Sequence, residues 1–292
     1  MISGFTQHSV EIDGNRVFFQ TAGDGAPVLM LHGFPQNSDM WMQVAPILSA
    51  DYQIICPDLR GYGQSGKPTG IDAYSFRAMA AELVGLMDHL GHDHFHVIGH
   101  DRGARTGHRM ALDHPARLRS LCLMDIIPTH TLLRDLRAEV ADAYYHWFFL
   151  AQNPPMPETL IGAATDTYYE SCLGGWGGAG LGQFDAAQLA SYRASWQDPA
   201  VIEGMCNDYR AALKIDVELD AADLDARITC PTMILYGANG KMAQFFDVPK
   251  TWADKCENMQ SAAIAGGHFF IDTNPKDTTA ALEGWLRQQN PD

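Results

Sequence analysis

Three residues, Asp101, His268 and Asp125, could between them form an ester on the protein and then hydrolyse it. Asp101 is the centre of Gly99-His100-Asp101-Arg102-Gly103, where the apolar run FHVIG meets a stretch with helical spacing. Glycines on both sides permit a tight turn that lifts the middle side chain clear of the strand, and the helix N-terminus behind it favours a negative charge. Taken alone, a G-x-D-x-G segment is more often a helix cap. The strand before it, the helix after it and the partners below favour a nucleophile. A carboxylate is poor at acyl transfer, but it can displace a leaving group from saturated carbon and remain as an alkyl ester.

Hydrolysis of that ester needs a base, and His268 in AIAGGHFF follows the last apolar run, where it can reach back over the turn. A histidine base in turn needs an acid to fix its tautomer. Two positions compete for this role. The loop after TMILYG reads GANGKM, with Asn239 and no carboxylate, so Asp125, closing LRSLCLMD, is the better choice. His32-Gly33-Phe34-Pro35 follows the run PVLML and is placed to offer the Phe34 N–H to an oxyanion; the Arg102 N–H is the second donor. Arg102 and Arg105 lie three apart at a helix start, and planar guanidinium groups suit a carboxylate.

The elements that must position these residues are short apolar runs at 27–33, 52–58, 95–101, 118–125, 232–237 and 259–267, alternating with helical stretches. This predicts an α/β fold with a mostly parallel central sheet and helices on both faces. The alternation stops between about 130 and 215, where LLRDLRAEVADAYYHWFFLAQ and LASYRASWQD read as helices. The expected organisation is a core of 1–129 and 216–292 carrying a helical cap of 130–215. GGWGGAGLGQ reads as a cap loop, with no strand before it and no GKS or GKT after it.

A chain of 292 residues that is 46% hydrophobic can bury one large core. Its net charge of −15 argues against nucleic acid or an anionic membrane as partner. An anionic substrate would need a local cationic pocket. The N-terminal residues lack a basic segment followed by an apolar one, which predicts a cytoplasmic protein. The six cysteines have no C-x-x-C spacing and read as reduced, buried residues. His92, His94 and His96 alternate, but a turn entering a buried strand accounts for them, so no metal is expected.

The motifs HGFPQ, PDLRGYGQS, GHDRGARTGHRMALDHP, LMDIIPT, YYHWFFLAQ, NDYRAA and GGHFF stand in the order and spacing of a known family. Over essentially its whole length the chain resembles the α/β-hydrolases, and more closely their fluoroacetate dehalogenases. HGFPQ and DLRGYGQS mark only the superfamily, whereas HDRGAR together with YYHWFFLAQ is far more specific. The resemblance implies that Arg102 and Arg105 hold a substrate carboxylate. It also implies that His146, Trp147 and Tyr209 donate to the halide, with Trp176 of GGWGG nearby. Without it, YYHWFF would read as an aromatic helix face packed in the cap. The implied substrate is a small anionic haloacid, converted to the 2-hydroxy acid with no cofactor, and the implied assembly is a homodimer.

The nearest rival is an epoxide hydrolase, which shares the aspartate, histidine and ester but protonates an epoxide oxygen with tyrosines, a role open to Tyr209. Two arginines beside the nucleophile suit a carboxylate better than a neutral epoxide. Haloalkane dehalogenases usually carry tryptophan where Arg102 stands. A non-catalytic ligand-binding protein on the same fold is a third reading, disfavoured because Asp101, His268 and Asp125 are all present.

Overall fold

The computed structural model describes residues 1–134, 136–175 and 180–289. Eight strands form one sheet in the order β1-β2-β4-β3-β5-β6-β7-β8. They are β1 (Thr6–Ile12), β2 (Asn15–Ala22), β3 (Ala26–Leu31), β4 (Tyr52–Pro57), β5 (Phe95–His100), β6 (Leu118–Met124), β7 (Thr232–Gly237) and β8 (Met259–Ile264). From β4 through β8 all neighbours pair in parallel, while β1 pairs with β2 and β2 with β4 antiparallel. The six apolar runs read from the sequence are β3 to β8. The hairpin β1-β2 is an addition to them: β1 is mostly exposed, so its sequence TQHSVEI lacks the apolar run that marks the buried strands.

Residues 28–31 of β3 and all of β5 are buried, as expected of central parallel strands covered on both faces. The helices Phe76–His89 and Pro275–Gln289 each turn a largely apolar face to the core, whereas Arg102–Asp113 buries Arg102, Arg105 and Arg109 beside Gly103, Ala104, Gly107, Met110 and Ala111. Because β3 is flanked by β4 on one side and β5 on the other, the winding reverses there, and a crevice opens above the carboxyl ends of β3 and β5. Phe34 and Asp101 lie just beyond those two ends.

Between β6 and β7 the described chain is helical, from Thr129 to Ala222. The stretch expected as one run around YYHWFF is three short helices, Thr129–Arg134, Ala138–Ala143 and Tyr145–Leu150. All six cysteines are buried and unpaired. Among the described residues no helix is long and apolar enough to cross a membrane.

Candidate active site

Strand β5 delivers Asp101 to a turn with φ 47° and ψ −111°, a conformation that side chains other than glycine rarely adopt. The turn requires small neighbours. A Cβ on Gly99 would lie 2.6 Å from the Gly103 carbonyl, and one on Gly103 would lie 2.5 Å from the carbonyls of Leu31 and His32. Asp101 is only 6% exposed, and its Oδ2 accepts the Phe34 N–H at 3.0 Å. Phe34 is held there by its neighbour: His32 Nε2 accepts the Leu59 N–H at 2.9 Å, tying the end of β3 to the loop after β4. The superfamily motifs HGFPQ and DLRGYGQS thus build the wall that carries the Phe34 N–H.

Asp125, just past β6, also has positive φ, at 51°. Its N–H donates to the Leu235 carbonyl and its Oδ1 accepts the Gly237 N–H, which aims Oδ2 at His268. His268 Nδ1 donates to that oxygen at 2.6 Å. Burial alone would lower the pKa of His268, but the hydrogen bond and charge of Asp125, followed by the charge of Asp101, raise it above the ordinary value. Burial would raise Asp101, yet His268, Arg102, His100 and Arg105 hold it below the usual carboxylate range. His100, whose Nε2 donates to the His268 carbonyl at 2.9 Å, is driven down to about 3 by burial and by His268, so it stays neutral. Asn239 takes no part in this relay; its N–H donates to the Gly266 carbonyl.

Arg102 is fully buried and forked on Asp208, Nε to Oδ2 at 2.8 Å and Nη2 to Oδ1 at 2.5 Å. Arg105 is held through Nη1 by the Ile127 carbonyl at 3.0 Å and Thr129 Oγ1 at 2.9 Å. Arg102 Nη1 and Arg105 Nε are buried with no partner among the described residues, and Arg105 Nη2 makes no hydrogen bond there either. The Tyr209 hydroxyl is buried without a partner as well. The Arg102 guanidinium lies 4.3 Å over the Tyr209 ring, and that of Arg105 lies 4.7 Å over Trp147. The Tyr209 ring centroid is 5.6 Å from both His146 and Trp147 and 5.1 Å from Phe34. Burial pushes His146 well below its ordinary pKa, so its imidazole is neutral.

Asp101, Asp125, His268, His146 and Trp147 line one narrow pocket. Arg102, Arg105 and Tyr209 are not part of that lining; they stand behind it. Trp176 lies outside the described residues. No cluster of three or more metal-ligating side chains occurs among the described residues, those of GHDHFH included.

Asp208, Tyr144 and Lys241 were not singled out from the sequence. Asp208 stands in NDYRAA and directly precedes Tyr209, but only the packing of the Pro199–Ala211 helix against the core shows that it grips Arg102. Tyr144 and Lys241 line the pocket with the catalytic candidates. Lys241 is in GANGKM, a segment whose one legible feature was its missing carboxylate.

The α/β hydrolase fold family matches residues 26–275. A fluoroacetate dehalogenase from Burkholderia sp is 48% identical over 289 residues, covering 98% of this chain and 95% of that protein. A soluble epoxide hydrolase from Corynebacterium sp. (strain C12) is 32% identical and covers 94% of this chain and 95% of its own. Among solved structures, an α/β hydrolase from Nostoc sp PCC 7120 superposes with a TM-score of 0.96 at 42% identity, over 98% of this chain and 99% of that one. With the sheet order, the strained aspartate turn and these likenesses in agreement, the chain belongs to the α/β-hydrolase-fold family.

Proposed function

We propose that this protein is a hydrolytic dehalogenase that converts small 2-haloacids, fluoroacetate foremost, to the 2-hydroxy acid through an ester on Asp101. One observation carries the reading. A buried, ionised carboxylate faces a neighbourhood in which two arginines and a phenol each keep a buried donor unpaired. Unpaired buried donors are costly, and a bound carboxylate and a departing halide are ligands that would satisfy them. The likeness to the Burkholderia fluoroacetate dehalogenase supports the same reading.

In the first step an oxygen of Asp101 attacks the α-carbon from behind, forming a C–O bond as the C–F bond breaks and its electron pair leaves as fluoride. Arg102 and Arg105 orient the substrate carboxylate. Donors from His146, Trp147 and Tyr209 replace the water that fluoride would otherwise need, and their benefit grows as charge develops on fluorine. In the second step His268 takes a proton from water, and the resulting hydroxide adds to the ester carbonyl of Asp101. The oxyanion is met by the N–H groups of Phe34 and Arg102. Collapse expels the glycolate alkoxide, which takes the proton back from His268, and Asp101, left as its acid, gives the remaining water proton to solvent and is ionised again. A chiral α-carbon is inverted. The helical segment between β6 and β7 acts as a cap that keeps the halide site dry, and the working assembly is a homodimer.

Epoxide hydrolysis is the second reading. It is favoured by the phenols of Tyr144 and Tyr209 beside the site and by the Corynebacterium relative. Single turnover of fluoroacetate in oxygen-18 water, with enzyme in excess, separates the two. The expected result is fluoride release with label entering Asp101, seen by peptide mass mapping. Folded protein that gives neither, yet opens an epoxide with label at Asp101, would replace the first reading with the second.

A further inference from the structure

The pocket that holds the catalytic candidates has a graded lining. Asp101, Asp125, His146, Trp147, Met242 and His268 are buried, whereas Ala143, Tyr144 and Lys241 are only half-buried. The half-buried residues mark the mouth, and Lys241 is the one charged residue among them. It begins the short helix Lys241–Phe245, and its ammonium lies 5.9 Å from the Phe245 ring centroid. Among the described residues it makes no ion pair, although the chain carries 35 carboxylate side chains against 20 lysines and arginines. A second cation sits on the far end of the same helix: Arg137 donates to the Phe245 carbonyl at 3.0 Å and lies 5.8 Å over the Phe246 ring. Asp247, just past that helix, accepts the Lys250 N–H on Oδ1 at 3.3 Å and makes no ion pair with Lys241.

A net charge of −15 repels a small anion at long range, and Arg102 and Arg105 are too deep to offset this for an approaching molecule. An uncompensated ammonium at the mouth does offset it locally, because low-dielectric walls focus its field along the entrance. We infer that Lys241 recruits the anionic substrate, selecting carboxylate-bearing molecules over neutral ones before they reach Asp101. This inference rests on the haloacid reading above.

The test compares the full-length protein with Lys241→Gln and Lys241→Arg on chloroacetate and on its neutral counterpart chloroacetamide, across ionic strength. For Lys241→Gln, kcat/KM on chloroacetate is expected to fall on the order of threefold to tenfold at low salt, more than kcat does. The deficit shrinks as salt screens the wild-type charge. Lys241→Arg retains most of the wild-type value, and the amide responds equally little to all three proteins. An equal loss on acid and amide, or no loss on the acid, overturns the inference. Should the wild type release halide from neither chloroacetate nor fluoroacetate, the dehalogenase reading falls. Lys241 is then judged by acetate binding followed calorimetrically: weaker, less salt-sensitive binding in Lys241→Gln upholds recruitment, and unchanged binding refutes it.

Discussion

Arg102 and Asp208 form a fully buried fork, with two guanidinium nitrogens on the two oxygens of one carboxylate at 2.5 and 2.8 Å. The pair joins the helix behind the nucleophile to a helix of the segment between β6 and β7. Asp208 also accepts the Tyr62 hydroxyl at 2.7 Å. Burial would lower the pKa of Arg102, but Asp208 raises it, so the arginine is charged at any working pH. Its orientation is set from outside the sheet, and only Nη1 is left to meet a substrate.

Replacing Asp208 with asparagine should therefore do two things. It leaves a buried guanidinium without its counter-charge, a change of the kind that costs about 3–5 kcal/mol of stability. It also frees the guanidinium to turn, raising KM for chloroacetate more than it lowers kcat. Thermal melting and steady-state kinetics on the same preparation read both effects. A melting temperature equal to that of the wild type would show that the fork does not stabilise the fold.

His268→Asn keeps a hydrogen-bonding side chain beside Asp125 but removes the base. The first half of the proposed reaction survives, so one equivalent of fluoride per site should be released and then nothing more. The peptide carrying Asp101 should gain the mass of one carboxymethyl group. Continued turnover in this variant would refute the assignment of His268 as base.

The pH dependence should separate the two half-reactions. Asp101 is held below the usual carboxylate range, so halide displacement continues in mild acid. His268 must be neutral to accept a proton from water, and its pKa in the free protein is raised above the ordinary 6.5. As pH falls and the ring becomes charged, turnover is lost while the fluoride burst remains. Once Asp101 is esterified its charge no longer raises His268. The acid limb of turnover should then lie below the midpoint found by NMR titration of the His268 ring in the free protein. Parallel loss of burst and turnover would contradict this assignment.

Tyr209→Phe keeps the ring that packs on Phe34, His146 and Trp147 and removes only the hydroxyl. Loss of one preorganised donor costs on the order of 100-fold in kcat when charge develops against it. Fluoroacetate should suffer a loss of that order. Bromoacetate, whose leaving group is less dependent on hydrogen bonds, should suffer less than about tenfold. Equal losses on both would place Tyr209 in packing and not in the halide site.

The parallel strands, the turn at Asp101 and the donor at Phe34 were legible because local chemistry dictates them: buried strands must be apolar runs, and a strained turn needs glycines at fixed offsets. The choice of Asp125 over the Asn239 loop was legible because one position has a carboxylate and the other has none. The edge strand β1 was not, since an exposed edge carries no apolar signal. Nor was the division of the stretch leading into YYHWFF into three short helices.

Residue types alone thus determined which atoms in this protein can attack, accept a proton or carry charge. They could not determine which donors are already spent. Asp208 and Arg102 are 106 positions apart, and Asp125 and His268 are 143 apart. The first pairing depends on how the helices after β6 close over the sheet, and the second on the strand order that sets β6, β7 and β8 side by side. That closure gives Arg102 its Asp208 partner and leaves Arg102 Nη1 and Arg105 Nε buried without one, because distances between chain-distant side chains are fixed by packing and by nothing local in the chain.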